Sequence, residues 1–292
     1  MKILKYLSFA LLFLAISCDK INEPYLRNPN KDDSVDSTVC PRPLFTVRTN
    51  PIKKVLLEDY TGYLCTNCPE AAVEAKRLKG LYGEKLILMS LHTGIFAIPN
   101  PNEGYTEDLR TQSAESLASV FGITAFPSGM VNRTTLESGR ILTKGYWESA
   151  VDLTSKLQAE IDIQIINEYD SASRKLCTHI QSKLLTENSN KLMLVVCLTE
   201  DSIKTKQKNS NPTIGTRPEI AVYYQMHVLR NVINSTWGSV ISDGDGETGM
   251  LINRSYSIAL NSSWKEKQCA VIAYVYDANS KVIIQVEENK IY

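Results

Sequence analysis

The strongest constraint on the fold is a pair of cysteines placed between a short buried strand and the start of a helix. Val55-Leu56-Leu57 is an apolar run of strand length, and Cys65-Thr66-Asn67-Cys68-Pro69 follows it after a turn at Thr61-Gly62. Apolar residues then recur at three-to-four spacing as far as Gly80, which predicts a helix. Free N–H groups and the helix dipole stabilise a thiolate at a helix start, so this placement favours a reactive thiol.

Zinc binding and haem attachment also use closely spaced cysteines. A structural zinc site needs a second close pair of ligands, and the other cysteines of this chain are isolated. Haem attachment needs a histidine directly after the second cysteine, where this chain has Pro69. The sequence therefore predicts no metal and no cofactor. In a redox reaction Cys65 would attack, and Cys68 would resolve the mixed disulfide.

Two segments of the chain resemble thioredoxins. The residues from Val55 to Cys65 resemble the strand and loop that precede the thioredoxin active site. Gly122-Ile123-Thr124-Ala125-Phe126-Pro127 resembles the Gly-Ile-x-x-x-Pro segment of that family. The resemblance implies that Asp59 is the buried acid that assists proton transfer, and that Pro127 is cis and faces the disulfide.

The chain departs from the thioredoxin pattern in two places. Leu64 stands where a Trp usually precedes the first cysteine, and the interval from Cys65 to Pro127 is longer than in a minimal thioredoxin. We therefore predict that residues near 94 to 120 form an insertion that contains an extra helix, from Thr106 to Val120. His92 ends the second apolar strand near the site, where it either hydrogen-bonds substrate or tunes a thiol, or simply orders the loop.

The hydrophobic pattern changes after residue 157. Up to that point strands and helices alternate, which is typical of an α/β fold. From Ile161 onward apolar residues recur at every second position in several short runs, which is typical of strands. We predict an α/β thioredoxin-like domain with an inserted helix over residues 51–157, followed by an all-β domain over residues 158–292. The second domain is expected to be an immunoglobulin-like β-sandwich.

The N-terminus has the pattern of a lipoprotein signal peptide over residues 1–17. Lys2 and Lys5 precede an apolar stretch too short to span a bilayer, and small residues lead directly to Cys18. Cys18 would then carry a lipid and anchor the mature chain to a membrane. A plain signal peptide with an incidental cysteine is the alternative. Residues 18–50 are polar and without period, which predicts a flexible tether.

The remaining charged and sulfur-containing residues exclude some functions and leave some pairings open. Thirty-two basic residues balance thirty-two acidic ones without a basic stripe, so nucleic-acid binding is not expected. His179 and His227 have no paired ligands, and the segment from Asp243 to Glu247 is better interpreted as a turn than as a calcium loop. The sequence assigns no partner to four other cysteines, which are Cys40, Cys177, Cys197 and Cys269.

A narrower resemblance covers most of the chain from Lys53 onward. Four motifs follow one another along the chain: Glu58-Asp-Tyr-Thr-Gly, Cys-x-x-Cys-Pro, His92-x-Gly94 and the segment from Phe126 to Arg133. Together they resemble the outer membrane protein 28 family of Bacteroidota. The segment from Tyr223 to Arg230 also resembles part of that family's second domain. The resemblance implies a lipid-anchored protein of the cell envelope, located in the outer membrane. The family is described only loosely, as an adhesin or receptor, so the activity stays open.

The sequence thus supports two functions and does not decide whether the chain is an enzyme. The first is thiol–disulfide exchange on envelope proteins, with Cys65 as nucleophile, Cys68 as resolving thiol, Asp59 as proton relay and Pro127 shaping the substrate groove. The second is a surface-binding, adhesin-like lipoprotein whose Cys65–Cys68 disulfide is structural. The missing Trp, the insertion and the large β domain support the second. The expected partners are the membrane, through the lipid on Cys18, and a protein thiol or disulfide.

Overall fold

Strands predominate in residues 40–292, the part of the chain that the computed structural model describes, and the three α-helices of this part all precede residue 156. The predicted signal peptide, the predicted lipidation site Cys18 and most of the predicted tether lie outside the described residues. The helices are α1 (Cys68–Tyr82), α2 (Gln112–Phe121) and α3 (Trp147–Ser155). The strands are β1 (Val55–Thr61), β2 (Leu86–His92), β3 (Ser128–Val131), β4 (Ile161–Asp170), β5 (Lys175–Leu184), β6 (Lys191–Glu200), β7 (Ile203–Lys208), β8 (Glu219–Gln225), β9 (Val228–Val232), β10 (Ser239–Asp243), β11 (Leu251–Ala259), β12 (Cys269–Asp277) and β13 (Ile283–Lys290).

Strand β1 lies inside the largest sheet and is buried along its whole length. The strand order of that sheet is β13-β12-β6-β9-β2-β1-β3, with β10 paired to β6. β1 runs parallel to β2, from Val55 opposite Leu86 to Thr61 opposite His92. It runs antiparallel to β3, with Leu57 opposite Val131. All seven β1 residues are buried because both faces of this part of the sheet are covered.

Side-chain alternation in β1 and β2 divides the core into two layers. Leu57 and Leu88 face α1 and α3, where they pack with Leu78 and Trp147. On the opposite face the next residues along each strand pack against α2 and β12. The α3 layer also explains Gly129, because a Cβ at this position would lie 2.5 Å from Nε1 of Trp147.

The inserted segment contains a helix, as predicted, but the helix begins later than the apolar pattern indicated. The pattern favoured a start at Thr106, whereas α2 begins at Gln112. Thr111 caps α2, since its hydroxyl oxygen accepts a hydrogen bond of 3.0 Å from the backbone N–H of Ala114. Glu115, in the first turn of α2, accepts hydrogen bonds from the hydroxyl of Thr93 and the N–H of Gly94. These bonds attach α2 to the end of β2.

The strands after residue 157 form two further sheets and also extend the first. β4, β5 and β11 form a three-stranded sheet in the order β11-β5-β4, which packs against β6 and β12 of the largest sheet. β7 and β8 pair only with each other among the described strands. β6, β9, β12 and β13 belong to the same sheet as β1 to β3, so the largest sheet takes strands from both sides of residue 157. The fold is therefore mixed α/β, with a predominance of strands and several sheets.

A buried ion pair joins β1 and the end of β3 to β12. Nε and Nη2 of Arg133 donate hydrogen bonds of 2.8 and 2.7 Å to the two carboxylate oxygens of Glu58. Nη2 also donates to the hydroxyl of Tyr274 at 3.0 Å. From the sequence alone, Asn132-Arg133 fits a bridge to another domain or to a ligand as well as a solvated strand end. The Arg133 side chain is completely buried, so it is a bridge.

Candidate functional site

The Cys65–Cys68 pair forms a disulfide at the end of β1. The loop after β1 carries Cys65, and Cys68 is the first residue of α1, so the disulfide closes the turn that leads into the helix. Its Cα atoms are 5.4 Å apart. Cys65 is 3% exposed and Cys68 is 2% exposed. Both cysteines are therefore buried in this oxidised form.

The hairpin formed by β7 and β8 covers the cysteine loop. Nε2 of Gln207 donates hydrogen bonds to the backbone carbonyl oxygens of Cys65, at 3.0 Å, and Gly62, at 3.4 Å. The N–H of Lys208 donates to the carbonyl oxygen of Tyr63 at 2.8 Å. Sequence reasoning missed Gln207 as a site residue. A signal was present, because the uncharged residues of β7 alternate with three lysines and therefore face inward.

The loop after β2 meets the cysteine loop on another side. The N–H of Leu64 donates to the carbonyl oxygen of Phe96 at 2.9 Å. Gly62 permits this approach, because a Cβ there would lie 2.4 Å from that same oxygen. The ring of Phe96 packs edge-on against Phe126, with centroids 5.7 Å apart. The peptide bond between Phe126 and Pro127 is cis. The contact between Phe126 and Phe96 brings the predicted proline segment to the loop that packs on the cysteine turn.

Asp59 lies in the middle of β1, on the face that carries α1. Its side chain is buried, and Oδ1 accepts no hydrogen bond from residues 40–292. Burial raises the pKa of Asp59 to about 7. Asp59 and Cys68 line the same cavity, of about 410 Å³, between α1 and the β7–β8 hairpin. A carboxyl that titrates near neutral pH beside a cysteine can accept or return a proton there.

His92 is buried at the end of β2, opposite Thr61 of β1. Neither ring nitrogen has a hydrogen-bond partner within the described part of the chain. The ring lies beside Tyr63, with centroids 6.2 Å apart. Burial, together with the charge of Arg230, lowers the pKa of His92 to about 3. The imidazole is therefore neutral at physiological pH, and it contacts the cysteine loop through a tyrosine.

The other histidine and acidic candidates have polar partners within the protein. Nδ1 of His179 is 2.8 Å from the hydroxyl of Ser255, and Nδ1 of His227 is 3.3 Å from Oδ1 of Asp201. Asp245 accepts hydrogen bonds within its own turn, from the N–H of Asp243 and the hydroxyl of Ser242. Residues 40–292 contain no group of three or more metal-ligating side chains arranged to hold an ion.

The structure assigns the four cysteines that the sequence left open. Cys40 forms a disulfide with Cys177 of β5, which attaches the first described residue to the three-stranded sheet. Cys197 and Cys269 are free and buried. Burial raises the pKa of each free thiol to about 12, which makes both poor nucleophiles. Cys68, by contrast, lines the cavity that Asp59 also lines.

Solved structures with a similar fold come from two bacteria. HBP35 of Porphyromonas gingivalis superposes with a TM-score of 0.60 at 17% identity, covering 83% of this chain and 76% of that one. Protein AGR_C_4864 from Agrobacterium tumefaciens has a TM-score of 0.51 at 13% identity, covering 84% of this chain and 97% of that one. At these identities the likeness concerns the fold alone. No curated protein matches the chain.

The sequence also matches a known family. The model of outer membrane protein Omp28 matches residues 114–292, which is more than half of the 292-residue chain. A domain of the outer membrane lipoprotein Omp28 from Porphyromonas gingivalis is 22% identical, with a TM-score of 0.31 over 46% of this chain and 88% of that one. Over residues 40–292, no helix has both the length and the apolar character needed to cross a membrane. The chain belongs to the Omp28 family of outer membrane proteins, which confirms the predicted family and the predicted location in the outer membrane of the cell envelope.

Proposed function

We propose that this outer membrane protein exchanges thiols and disulfides with other envelope proteins through Cys65 and Cys68. The observation that carries the proposal is the disulfide at the start of α1, whose Cys68 lines the same cavity as a buried carboxyl with a pKa of about 7. A dithiol at a helix start favours the thiolate, and a nearby group that titrates near neutral pH can handle the proton that the reaction moves.

A thioredoxin-like arrangement of residues 51–157 is part of the proposal. Its support is the parallel pairing of β1 and β2 on either side of α1 in sequence, with the antiparallel β3 following the cis bond at Pro127. For residues 158–292 we propose an immunoglobulin-like β-sandwich, supported by the three-stranded sheet that faces β6 and β12. A lipid on Cys18 would hold both at the membrane.

The reaction proceeds in two balanced steps from the reduced protein. The Cys65 thiolate attacks a substrate disulfide, a mixed disulfide forms, and one substrate sulfur leaves as a thiolate. Cys68 then loses its proton to the Asp59 carboxylate and attacks the Cys65 sulfur. The Cys65–Cys68 disulfide forms, and the second substrate thiolate leaves. The reverse sequence oxidises a substrate dithiol. Pro127 shapes the groove for the substrate, and neutral His92 supports the cysteine loop through Tyr63.

A second candidate function has one observation in its favour. Cys65 is 3% exposed, and its carbonyl oxygen is held by Gln207 from the covering hairpin. A structural disulfide would have this burial, and the protein would then be a binding lipoprotein of the cell surface. Exchange through Cys65 requires that the covering hairpin or the loop of residues 94–98 moves aside when a substrate binds.

Trapping of mixed disulfides tests the proposal. In the variant Cys68→Ser the resolving thiol is gone, so covalent adducts with envelope proteins should accumulate through Cys65 and should disappear on reduction. The matched control is the double variant Cys65→Ser/Cys68→Ser, which should trap nothing. Absence of adducts in Cys68→Ser, with Cys65 alkylated only near the pH of an ordinary thiol of pKa about 8.5, would favour the structural disulfide.

A further inference from the structure

The cavity between α1 and the β7–β8 hairpin has a mainly apolar lining that contains a buried carboxyl. It measures about 410 Å³, within the range of sites that hold small molecules. The floor comes from β1 and β2 and includes Asp59 and Ser90. One wall is the α1 face that carries Ala72 and Val73, and the other is β8 with Tyr223 and the residues that follow. We call it the α1–hairpin cavity.

Hydrogen bonds fix the hairpin wall of the cavity to the rest of the fold. Nε2 of Gln225 donates to the hydroxyl of Thr205 and to Oε1 of Gln207, each at 3.0 Å, which fixes β8 on β7. The N–H of Ser90 donates to the carbonyl oxygen of His227 at 2.8 Å, which fixes the end of the hairpin on β2. The cavity is thus part of the folded structure and does not need a ligand to form.

Asp59 supplies an acceptor that the protein does not use. Oδ1 is buried and accepts no hydrogen bond from any described residue, and Asp59 is one of the residues that line the cavity. A buried acceptor without a partner is costly, and a ligand that donates to it recovers that cost. Tyr223 lines the same cavity. Burial, and to a smaller extent the charge of Asp59, raises the pKa of Tyr223 to about 12. The phenol therefore stays neutral beside the carboxyl.

The mouth of the cavity selects against charge and in favour of apolar groups. Val73, Tyr224 and Met226 line the cavity and are also exposed to solvent. A cationic ligand would meet the ammonium group of Lys76 in the same lining, and an anionic ligand would meet the Asp59 carboxyl. An uncharged, mainly apolar molecule avoids both conflicts.

We propose that the α1–hairpin cavity binds a small, uncharged, mainly apolar molecule that donates one hydrogen bond, from a hydroxyl or an N–H group, to Asp59. The apolar body lies between α1 and β8, and the donor points to the floor. Binding of this ligand requires no thiol exchange, so it occurs in the oxidised protein and stands apart from the proposed redox function.

A matched pair of probes tests this site by calorimetric titration of the oxidised protein. 2-Naphthol has an apolar body and one hydroxyl donor, and 2-methoxynaphthalene has a similar shape without the donor. We expect both to bind, with 2-naphthol tighter by about tenfold or more, the effect of one hydrogen bond to a buried carboxyl. The variant Asp59→Leu removes the acceptor and should bring the two affinities within about twofold of each other.

A second variant tests the location independently of Asp59. Ala72→Phe places a large side chain in the cavity from α1 and should weaken both probes by about tenfold or more. The control Leu153→Phe makes a comparable change on the exposed surface of α3, outside the cavity, and should leave both affinities unchanged. The proposal is overturned if neither probe binds the wild type, if 2-naphthol keeps its advantage in Asp59→Leu, or if Ala72→Phe binds as the wild type does.

Discussion

The buried ion pair between Glu58 and Arg133 allows a prediction whose size follows from burial. Both side chains are 0% exposed, and Arg133 makes two hydrogen bonds to the carboxylate and one to Tyr274. The variant Arg133→Met removes the positive charge and leaves the Glu58 carboxylate buried without its counter-charge. Breaking a buried pair in this way costs about 3–5 kcal/mol. We therefore expect the free energy of unfolding, measured by urea denaturation, to fall by that amount.

The double variant Glu58→Met/Arg133→Met separates loss of the pair from loss of packing. Replacing both partners removes the unpaired charge, and apolar replacement of a whole buried pair is often neutral or stabilising. The double variant should therefore recover most of the stability that the single variant loses. A loss below about 1 kcal/mol in Arg133→Met, or a double variant no more stable than the single one, would refute this account of how β1 and β12 are joined.

Three further predictions concern other parts of the chain. The pKa of Asp59 is about 7 in the folded protein, against an ordinary value of 3.8. Between these two pH values the folded state keeps a proton that the unfolded chain releases, so the stability of the wild type falls as pH rises. The side chain in Asp59→Asn does not titrate, so the stability of this variant relative to the wild type should rise by up to about 1.4 kcal/mol per pH unit from pH 4 to 7. A stability difference that is independent of pH in urea denaturation would contradict the raised pKa of Asp59. The double variant Cys40→Ser/Cys177→Ser removes a cross-link between residues 137 positions apart and should lower the free energy of unfolding by about 2–4 kcal/mol, whereas an unchanged urea midpoint would show that the cross-link adds nothing. Cys18→Ala should move the protein from the membrane to the soluble fraction on cell fractionation, and a variant that stays with the membrane would exclude lipid anchoring at this residue.

The sequence predicted the elements around the cysteine pair because their signals are local. The apolar runs that became β1 and β2 and the turn-and-helix pattern after Cys65 each lie within a few consecutive residues. The start of α2 was placed too early, since apolar spacing alone does not show that the capping residue is Thr111.

Long-range features were beyond local patterns. The Cys40–Cys177 disulfide joins residues 137 positions apart, and no spacing rule selects that pairing among the isolated cysteines. Arg133 follows a strand and carries a charge, a pattern that fits a solvated strand end as well as a bridge, and only the structure shows its buried contacts with Glu58 and Tyr274. Gln207 covers the cysteine loop because of where the β7–β8 hairpin packs. Alternation along β7 predicts that Gln207 faces inward, but it does not predict which segment Gln207 contacts.

The reduction potential of the Cys65–Cys68 couple tests the central claim most directly. The protein would be equilibrated with thiol–disulfide buffers of known potential, and the Cys65–Cys68 peptide would be quantified by mass spectrometry, separately from the Cys40–Cys177 disulfide. Thiol exchange with envelope proteins predicts a potential above about −300 mV, where catalytic disulfides lie. A potential below about −300 mV would mean that the disulfide is structural, and it would contradict the proposed exchange activity.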